Sequence, residues 1–244
     1  LTAAVRSENA DQILLTGVFV HIGMEMEIEQ AAAWLTTLGP PERVILVPGN
    51  HDSYAQDSTE RFDALWRDYL FPGETHGSQG YPVVRRTDSL SLLGISTACV
   101  TPVFMASGEL GTTQLGKLEM KLAQAAEEKQ AVVLLIHHPP LTGLTSARMG
   151  LSDASKLQAV LERFPPLLVF HGHLHHNREY LWGDSRIYCT AAASSASDAS
   201  YRVIDIEQRD DMWSVRMTLK SITVDERGGL AFATVDEQSW EQPV

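Results

Sequence analysis

The chain has 244 residues, 44% of them hydrophobic, and a formal net charge of −12. That is enough apolar material for one sizeable core, and no linker-like stretch or charge run divides it, so residues 1–244 are expected to form a single domain. The acidic balance disfavours a polymeric nucleic acid as partner, since that takes a basic surface. The longest aliphatic run, residues 131–136, is far short of the roughly 20 residues of a membrane span.

Residues 1–9 read as the end of a helix and 12–16 as a strand. Residues 25–38 carry Met26, Ala32, Ala33 and Leu35 at helical spacing before the Gly39-Pro40-Pro41 stop. A strand is expected at 43–47. A helix follows from Ser58, which can N-cap, to about residue 70, with Phe62, Leu65, Trp66 and Tyr69 on one stripe. Residues 81–86 and 89–96 read as a hairpin around Thr87-Asp88. Strand 131–136 lies between helices 112–127 and 152–164, and strand 167–170 follows. From 179 onward the pattern is strands with short turns, at 179–182, 186–191, 201–206 and 213–220. The small-residue stretch 191–200 reads as a loop, and the tail 224–244 is weakly patterned with a loose end. Alternating strands and helices followed by a run of strands suggest sheets packed face to face with helices outside.

Cys99 and Cys189 are the two cysteines, too few for a disulfide framework. Buried, inert thiols in a cytoplasmic protein are the plain expectation. The chain starts with Leu1 rather than Met, so the natural start is expected upstream, which leaves room for a cleaved signal peptide.

Three short pieces carry the chemistry: Gly49-Asn50-His51-Asp52, Ile136-His137-His138-Pro139-Pro140 and His171-Gly172-His173-Leu174-His175. Each follows an apolar run that reads as a buried strand, and strand ends are where open α/β sheets bind ligands. Amide oxygen and neutral imidazole nitrogen suit borderline divalent metals. Asn50 is equally at home in a turn, and Asp52 either orients His51 or caps the turn. His137 and His138 are adjacent, so they point opposite ways if the strand continues through them, and only one faces the site. His173 and His175 are two apart, which in extended chain puts both on one face. His171 and His176 read as supporting or solvent-facing. His21 and His76 stand alone in loops, His21 shortly after Val18 on the same mouth of the sheet.

In this order the pieces resemble the calcineurin-like metallophosphoesterases. That family's pattern runs Asp-x-His, Gly-Asp, Gly-Asn-His-Asp/Glu, a lone His, then Gly-His-x-His, each after a strand. The resemblance covers most of the chain, from Asp11 to the strand after Ile187. It implies a four-layer α-β-β-α sandwich of two mixed sheets flanked by helices. It also implies two divalent ions (Mn, Fe, Zn or Co), with Asn50, His137, His173 and His175 as metal ligands. His51 is then the catalytic acid that protonates the leaving oxygen while a hydroxide activated by both metals attacks phosphorus. Gly108-Glu109-Leu110-Gly111 ahead of Gln114-Leu115, with Met149-Gly150-Leu151, looks like the cyclic-nucleotide and glycerophosphodiester phosphodiesterase branch. That implies a small phosphodiester substrate, and homodimers occur in that branch.

Two departures stand out. Val18 takes the place of the family's bridging Asp in Gly17-Val18, and residues 1–10 hold no Asp-x-His, whose strand is expected upstream of Leu1. Without the bridging carboxylate, neutral ligands must screen more of the metal charge. The leading expectation is a phosphodiesterase. The alternatives are a degenerate, metal-poor member acting as a protein-interaction module, and a polynucleotide nuclease of the same fold, which the charge disfavours.

Overall fold

Strands buried on both faces read as near-continuous apolar runs, and the runs before the three motifs are such strands in the computed structural model of the chain. It describes residues 1–54, 56–72, 80–87, 89–195, 197–225 and 228–244, without the side chains of 56–59. His76, Asp88 and the capping side chain of Ser58 therefore lie outside the described residues.

The N-terminal half begins with α1 (Thr2–Ser7), β1 (Ile13–Leu15), α2 (Glu25–Leu38) and β2 (Val44–Leu46). A 3-10 turn (Asn50–Ser53), α3 (Gln56–Leu65), α4 (Arg67–Leu70) and the strands β3 (Val83–Arg86) and β4 (Leu90–Gly94) follow. Then come α5 (Gly111–Glu127), β5 (Ala131–Leu135), α6 (Ala154–Arg163) and β6 (Leu168–His171). The remainder is β7 (Arg178–Trp182), β8 (Ser185–Cys189), β9 (Ser200–Arg209), β10 (Met212–Val224) and β11 (Leu230–Pro243). None of the described helices is long and apolar enough to cross a membrane.

Six strands form one mixed sheet in the order β3-β4-β5-β6-β8-β7. Its central strands alternate between two cores. Val132, Leu134, Val169 and Ile187 pack against Leu118 and Leu122 of α5 and Leu157 and Leu161 of α6. Val133, Leu135, Phe170 and Tyr188 face the other way, toward β2, α2 and the inner side of β10 (Trp213, Val215, Met217). The fold is thus α/β, with sheets face to face and helices outside. The second layer differs from the expected single mixed sheet. Among the described residues it is a parallel pair, β1-β2, and a separate antiparallel set, β11-β10-β9, with no ladder joining them.

Two further expectations change. The helix foreseen over 58–70 is two helices, because Trp66 leaves helical geometry at φ −107°, ψ 9°. Its indole is fully buried, edge-on to Phe19 at 4.8 Å and against Phe62 at 4.0 Å. Aromatic packing here overrides the local helical pattern. The tail is not loose: β11 pairs with β10 from Leu230↔Val224 to Pro243↔Met212, with one register shift at Leu219/Lys220. Most of β11 is exposed, so its side chains carry little hydrophobic alternation and the backbone ladder holds it. Trp240 adds one anchor, 4.0 Å from the Arg186 guanidinium.

In an edge strand only every second N–H faces its partner. Hydrogen exchange along β11 is therefore expected to alternate between protected and fast amides. Uniformly fast exchange from Leu230 to Gln242 would show the ladder absent in solution.

Candidate metal centre

The motif segments leave the carboxyl ends of β2, β5 and β6, beside the end of β1. Leu15 pairs with Leu46 and Leu135 with Phe170 in parallel register, so the strand ends are level within each pair. After β2 the chain enters the 3-10 turn with Asp52 fully buried. The Asp52 carboxylate accepts four backbone N–H groups: Gly49 at 2.8 Å, Val18 at 2.9 Å, Phe19 at 2.8 Å and Val20 at 3.2 Å. Burial lifts its pKa to about 6 against the pull of those four donors, so it is an anion at neutral pH. Of the two roles open to Asp52 in the sequence, the cap is made through Gly49. The other three bonds go to the loop after β1, not to His51.

That loop orients two histidines by its carbonyls. His137 Nδ1 lies 2.7 Å from the Thr16 carbonyl oxygen. A carbonyl only accepts, so Nδ1 carries the hydrogen. Burial, reinforced by neighbouring histidines, holds the His137 pKa well below its ordinary value. The ring is neutral, and Nε2 presents a bare lone pair 3.0 Å from Asn50 Oδ1. Two acceptors at that distance repel unless the amide turns over or a cation lies against both. As placed, the Asn50 amide nitrogen donates to the Tyr54 hydroxyl at 3.3 Å.

The ring of His173 is 5.2 Å from that of His137. Its Nε2 is buried with no partner, and burial lowers its pKa to about 4. An unpaired buried acceptor costs about 1–3 kcal/mol. One cation in contact with Asn50 Oδ1, His137 Nε2 and His173 Nε2 relieves all three, and an amide oxygen with two imidazoles suits a borderline divalent ion.

His138 stands close enough to seem a member: its ligand atom and those of His137 and His173 lie within 4.8 Å of one another. Both its nitrogens are already engaged. Nε2–H donates to the Ala106 carbonyl at 3.1 Å, and Nδ1 accepts from the Thr97 hydroxyl at 2.7 Å. It is scaffold. The strand stops at Leu135, so the condition for oppositely directed rings is not met, and the His137 and His138 rings lie 5.0 Å apart at 88°.

The extended reading of Gly-His-Leu-His is also corrected. His173 and His175 both have positive φ (+66° and +55°), and Leu174 N bonds back to the Gly172 carbonyl at 2.8 Å. The turn buries His173 and leaves His175 exposed, outside the cluster. His171 is buried with Nδ1 on the Gly172 carbonyl at 3.0 Å, its pKa lowered by burial to about 4. Its Nε2, like that of His176, has no partner.

His51 is half-buried. Its Nδ1–H donates to the His21 carbonyl at 2.6 Å, which leaves Nε2 to exchange a proton. The His21 ring is exposed and stacks on His51 at 5.8 Å, and the Tyr54 ring lies 4.6 Å from His51, tilted by 51°. Sequence reasoning missed Thr16, placed His21 on this mouth of the sheet only as a lone loop histidine, and missed Tyr54. The first two act through main-chain oxygens, which no side-chain signal reveals. Tyr54 could have been suspected as the aromatic one turn beyond Asn50 and His51.

Val18 offers no ligand atom, and its φ of +64° is an outlier for a β-branched residue. A Cβ on Gly49 would meet Val18 Cγ2 at 2.7 Å and His137 Cε1 at 2.8 Å, so the valine methyl sits beside the imidazole. The residues present fit one ion. With Val18 without a donor and His175 exposed, they do not complete a second set among the described residues.

A family model described as Calcineurin-like phosphoesterase matches residues 1–177. The chain is 30% identical over 178 residues to the glycerophosphodiester phosphodiesterase GpdQ of Enterobacter lignolyticus (strain SCF1), a match covering 69% of this chain and 57% of that protein. It is 37% identical over 86 residues to the 3′,5′-cyclic adenosine monophosphate phosphodiesterase CpdA of Escherichia coli (strain K12), covering 34% and 30%. The chain thus matches well under two thirds of either relative's length. Among solved structures, a dimetal phosphatase from Danio rerio superposes with a TM-score of 0.61 at 12% identity, over 98% of this chain and 86% of that one; this likeness is one of fold.

Two outcomes follow from the geometry. His137→Ala and His173→Ala should each strip the ion, whereas His138→Asn should leave metal content per folded chain unchanged. Loss of metal in the His138 variant, read by elemental analysis, would make His138 a ligand after all. Asp52→Asn turns an amide NH2 toward two of the four buried N–H donors and should lower unfolding free energy by about 2–4 kcal/mol. An unchanged denaturation midpoint would mean that other contacts hold the β1 loop.

Proposed function

The chain belongs to the calcineurin-like phosphoesterase family, and from that premise we propose that residues 1–244 act as one metal-dependent hydrolase that cleaves a small phosphodiester. The observation that carries this reading is the set of three uncapped acceptors, Asn50 Oδ1, His137 Nε2 and His173 Nε2, beside a histidine free to move a proton. A divalent ion bound there supplies Lewis acidity toward a phosphoryl oxygen and toward water. All three ligands are neutral, so the ion keeps its full charge for the anionic substrate.

His51 is the proton donor in this reading. The His21 carbonyl fixes the hydrogen on Nδ1, so the proton that moves is on Nε2, and partial exposure lets it return from solvent. Tyr54 limits the ring's freedom on one face and steadies the Asn50 amide. Thr16 keeps His137 in the tautomer that points its lone pair inward. The glycerophosphodiester and cyclic-nucleotide activities in the relatives' names support a diester in preference to a monoester. The dinuclear centre implied by the family pattern is proposed here only in part. Asn50, His137 and His173 hold one ion, and a second depends on His175 and on ligands this chain lacks at position 18. Two free cysteines accord with a cytoplasmic setting.

Val18 and the exposed His175 favour a second reading, a metal-poor interaction module. Elemental analysis alongside hydrolysis of bis(p-nitrophenyl) phosphate with added Mn separates the two. One ion or more per chain with turnover supports the hydrolase, and no ion with no turnover overturns it. His51→Ala should cut turnover about 100-fold or more with metal content unchanged; equal loss of both would make His51 a ligand. Val18→Asp places a residue type tolerant of positive φ at a position that demands it, and should raise metal occupancy and diesterase rate together. No change in either would show that another group fills the bridging role.

A further inference from the structure

Beside the metal centre, on the side of Tyr54, lies a cleft of about 500 Å³ that the proposed hydrolysis does not yet use. One wall is Tyr54, whose ring contacts His51 and whose hydroxyl meets Asn50. The other is the loop after β4, with Val103, Phe104 and Met105, and Met149 closes the cleft. This loop is tied to the site by its backbone, since the Ala106 carbonyl accepts from His138. Met149 is tied in the same way through its backbone bond with His173. The cleft therefore adjoins the proton donor and the metal ligands through Tyr54 and Met149.

Its lining is mostly apolar and aromatic, with two polar side chains that are each partly engaged. The Thr101 hydroxyl donates to the Met105 carbonyl at 2.9 Å, and the Tyr54 hydroxyl accepts from the Asn50 amide at 3.3 Å. A polyol entering here would find few hydrogen-bond partners for the water it gives up. A flat π-system would find surfaces to stack on. Phe104 strengthens the case. It is 91% exposed and held at φ +69°, a conformation that a bulky side chain rarely takes. An apolar ring kept at the rim of a cleft in a strained conformation is the kind of outlier that clusters at ligand clamps. The volume falls within the range of about 300–1,000 Å³ usual for small-molecule sites.

We propose that this cleft receives the leaving alcohol of the phosphodiester and that the alcohol carries a planar aromatic group, as in a nucleoside or an aryl ester, rather than a glycerol unit. The inference rests on the hydrolase reading above. In the step, water oxygen bonds to phosphorus and the bond from phosphorus to the alcohol oxygen breaks. That oxygen takes the proton from His51 Nε2, and the proton of the attacking water leaves to solvent. Tyr54, adjacent to His51, guides the aromatic group so that its oxygen meets the donor.

The test compares 3′,5′-cyclic AMP, bis(p-nitrophenyl) phosphate and glycerophosphocholine with the parent and with Phe104→Ala, a surface change that leaves the core intact. Stacking of a base on an aromatic ring predicts that the variant loses about 5- to 100-fold in kcat/KM through KM on the aromatic diesters. kcat and all parameters for glycerophosphocholine should stay as in the parent. A loss confined to cyclic AMP identifies the source as a nucleoside, and one confined to bis(p-nitrophenyl) phosphate as an aryl group. Equal loss on all three, or none on any, overturns the proposal while leaving the hydrolase reading in place. If no diester is cleaved, the hydrolase reading fails, and adenosine itself then probes the cleft by ligand-observed NMR. Broadening abolished by Phe104→Ala keeps an aromatic-binding cleft; absence of broadening overturns it.

Discussion

The site depends on one buried carboxylate. Asp52 draws Val18, Phe19 and Val20 of the β1 loop and Gly49 of its own turn onto two oxygens. No side-chain cation compensates its charge in these bonds; four main-chain dipoles do. Everything placed by the β1 loop follows from it. The Thr16 carbonyl fixes the tautomer of His137, and the His21 carbonyl fixes that of His51. A prospective ligand and a prospective acid are thereby assigned opposite tasks by the same short segment. One ring aims a lone pair inward, and the other keeps a nitrogen available to solvent.

The same constraint accounts for the strain at position 18. Successive N–H groups close on one anion when the chain takes a left-handed step, forming a nest. Gly17 at +99° and Val18 at +64° are that step. A valine there costs about 1–3 kcal/mol, and the chain tolerates it because the carboxylate over-determines the loop. The conformation at residue 18 is thus imposed by Asp52, independently of whether the side chain holds a metal. This explains how ligand chemistry can be lost at one position while the geometry of the remaining ligands persists.

The parts of the fold that follow from burial were legible in the chain. The apolar runs at 44–46, 131–135 and 168–170 are strands because both faces are buried. Helix 25–38 ends at its Gly-Pro-Pro stop as expected, but its buried face is Ile28, Ala31, Leu35 and Leu38, and of the residues picked out by spacing only Leu35 lies on it while Met26 is exposed. What burial does not determine was not legible. β11 is mostly exposed and gains its order from a ladder with β10, so periodicity is silent there. The break at Trp66 reflects a three-ring cluster in which Phe19, far back in the chain, joins Phe62 and Trp66. In the site, residue types announced Asn50, His51, His137 and His173. Whether two histidines share a face depended on main-chain turns: a positive φ at both His173 and His175 separates them. The decisive hydrogen bonds go to carbonyls, which every residue possesses.

The absence of a carboxylate among the three gathered ligands has a consequence for how such a centre works. An ion held by one amide and two imidazoles retains its whole charge, in a pocket where nearby histidines are already kept neutral by burial. Desolvating that charge is unfavourable unless an anion arrives with it. Asp52 cannot serve freely, since its oxygens are engaged by four amides. The proposed phosphodiester substrate carries the missing negative charge. Ion and substrate then favour each other's binding by the same coupling free energy, as linkage requires. A site built this way binds its ion weakly when empty of substrate and more firmly when filled. A bridging aspartate at position 18 weakens that dependence, because it supplies in the protein the charge that the substrate otherwise brings.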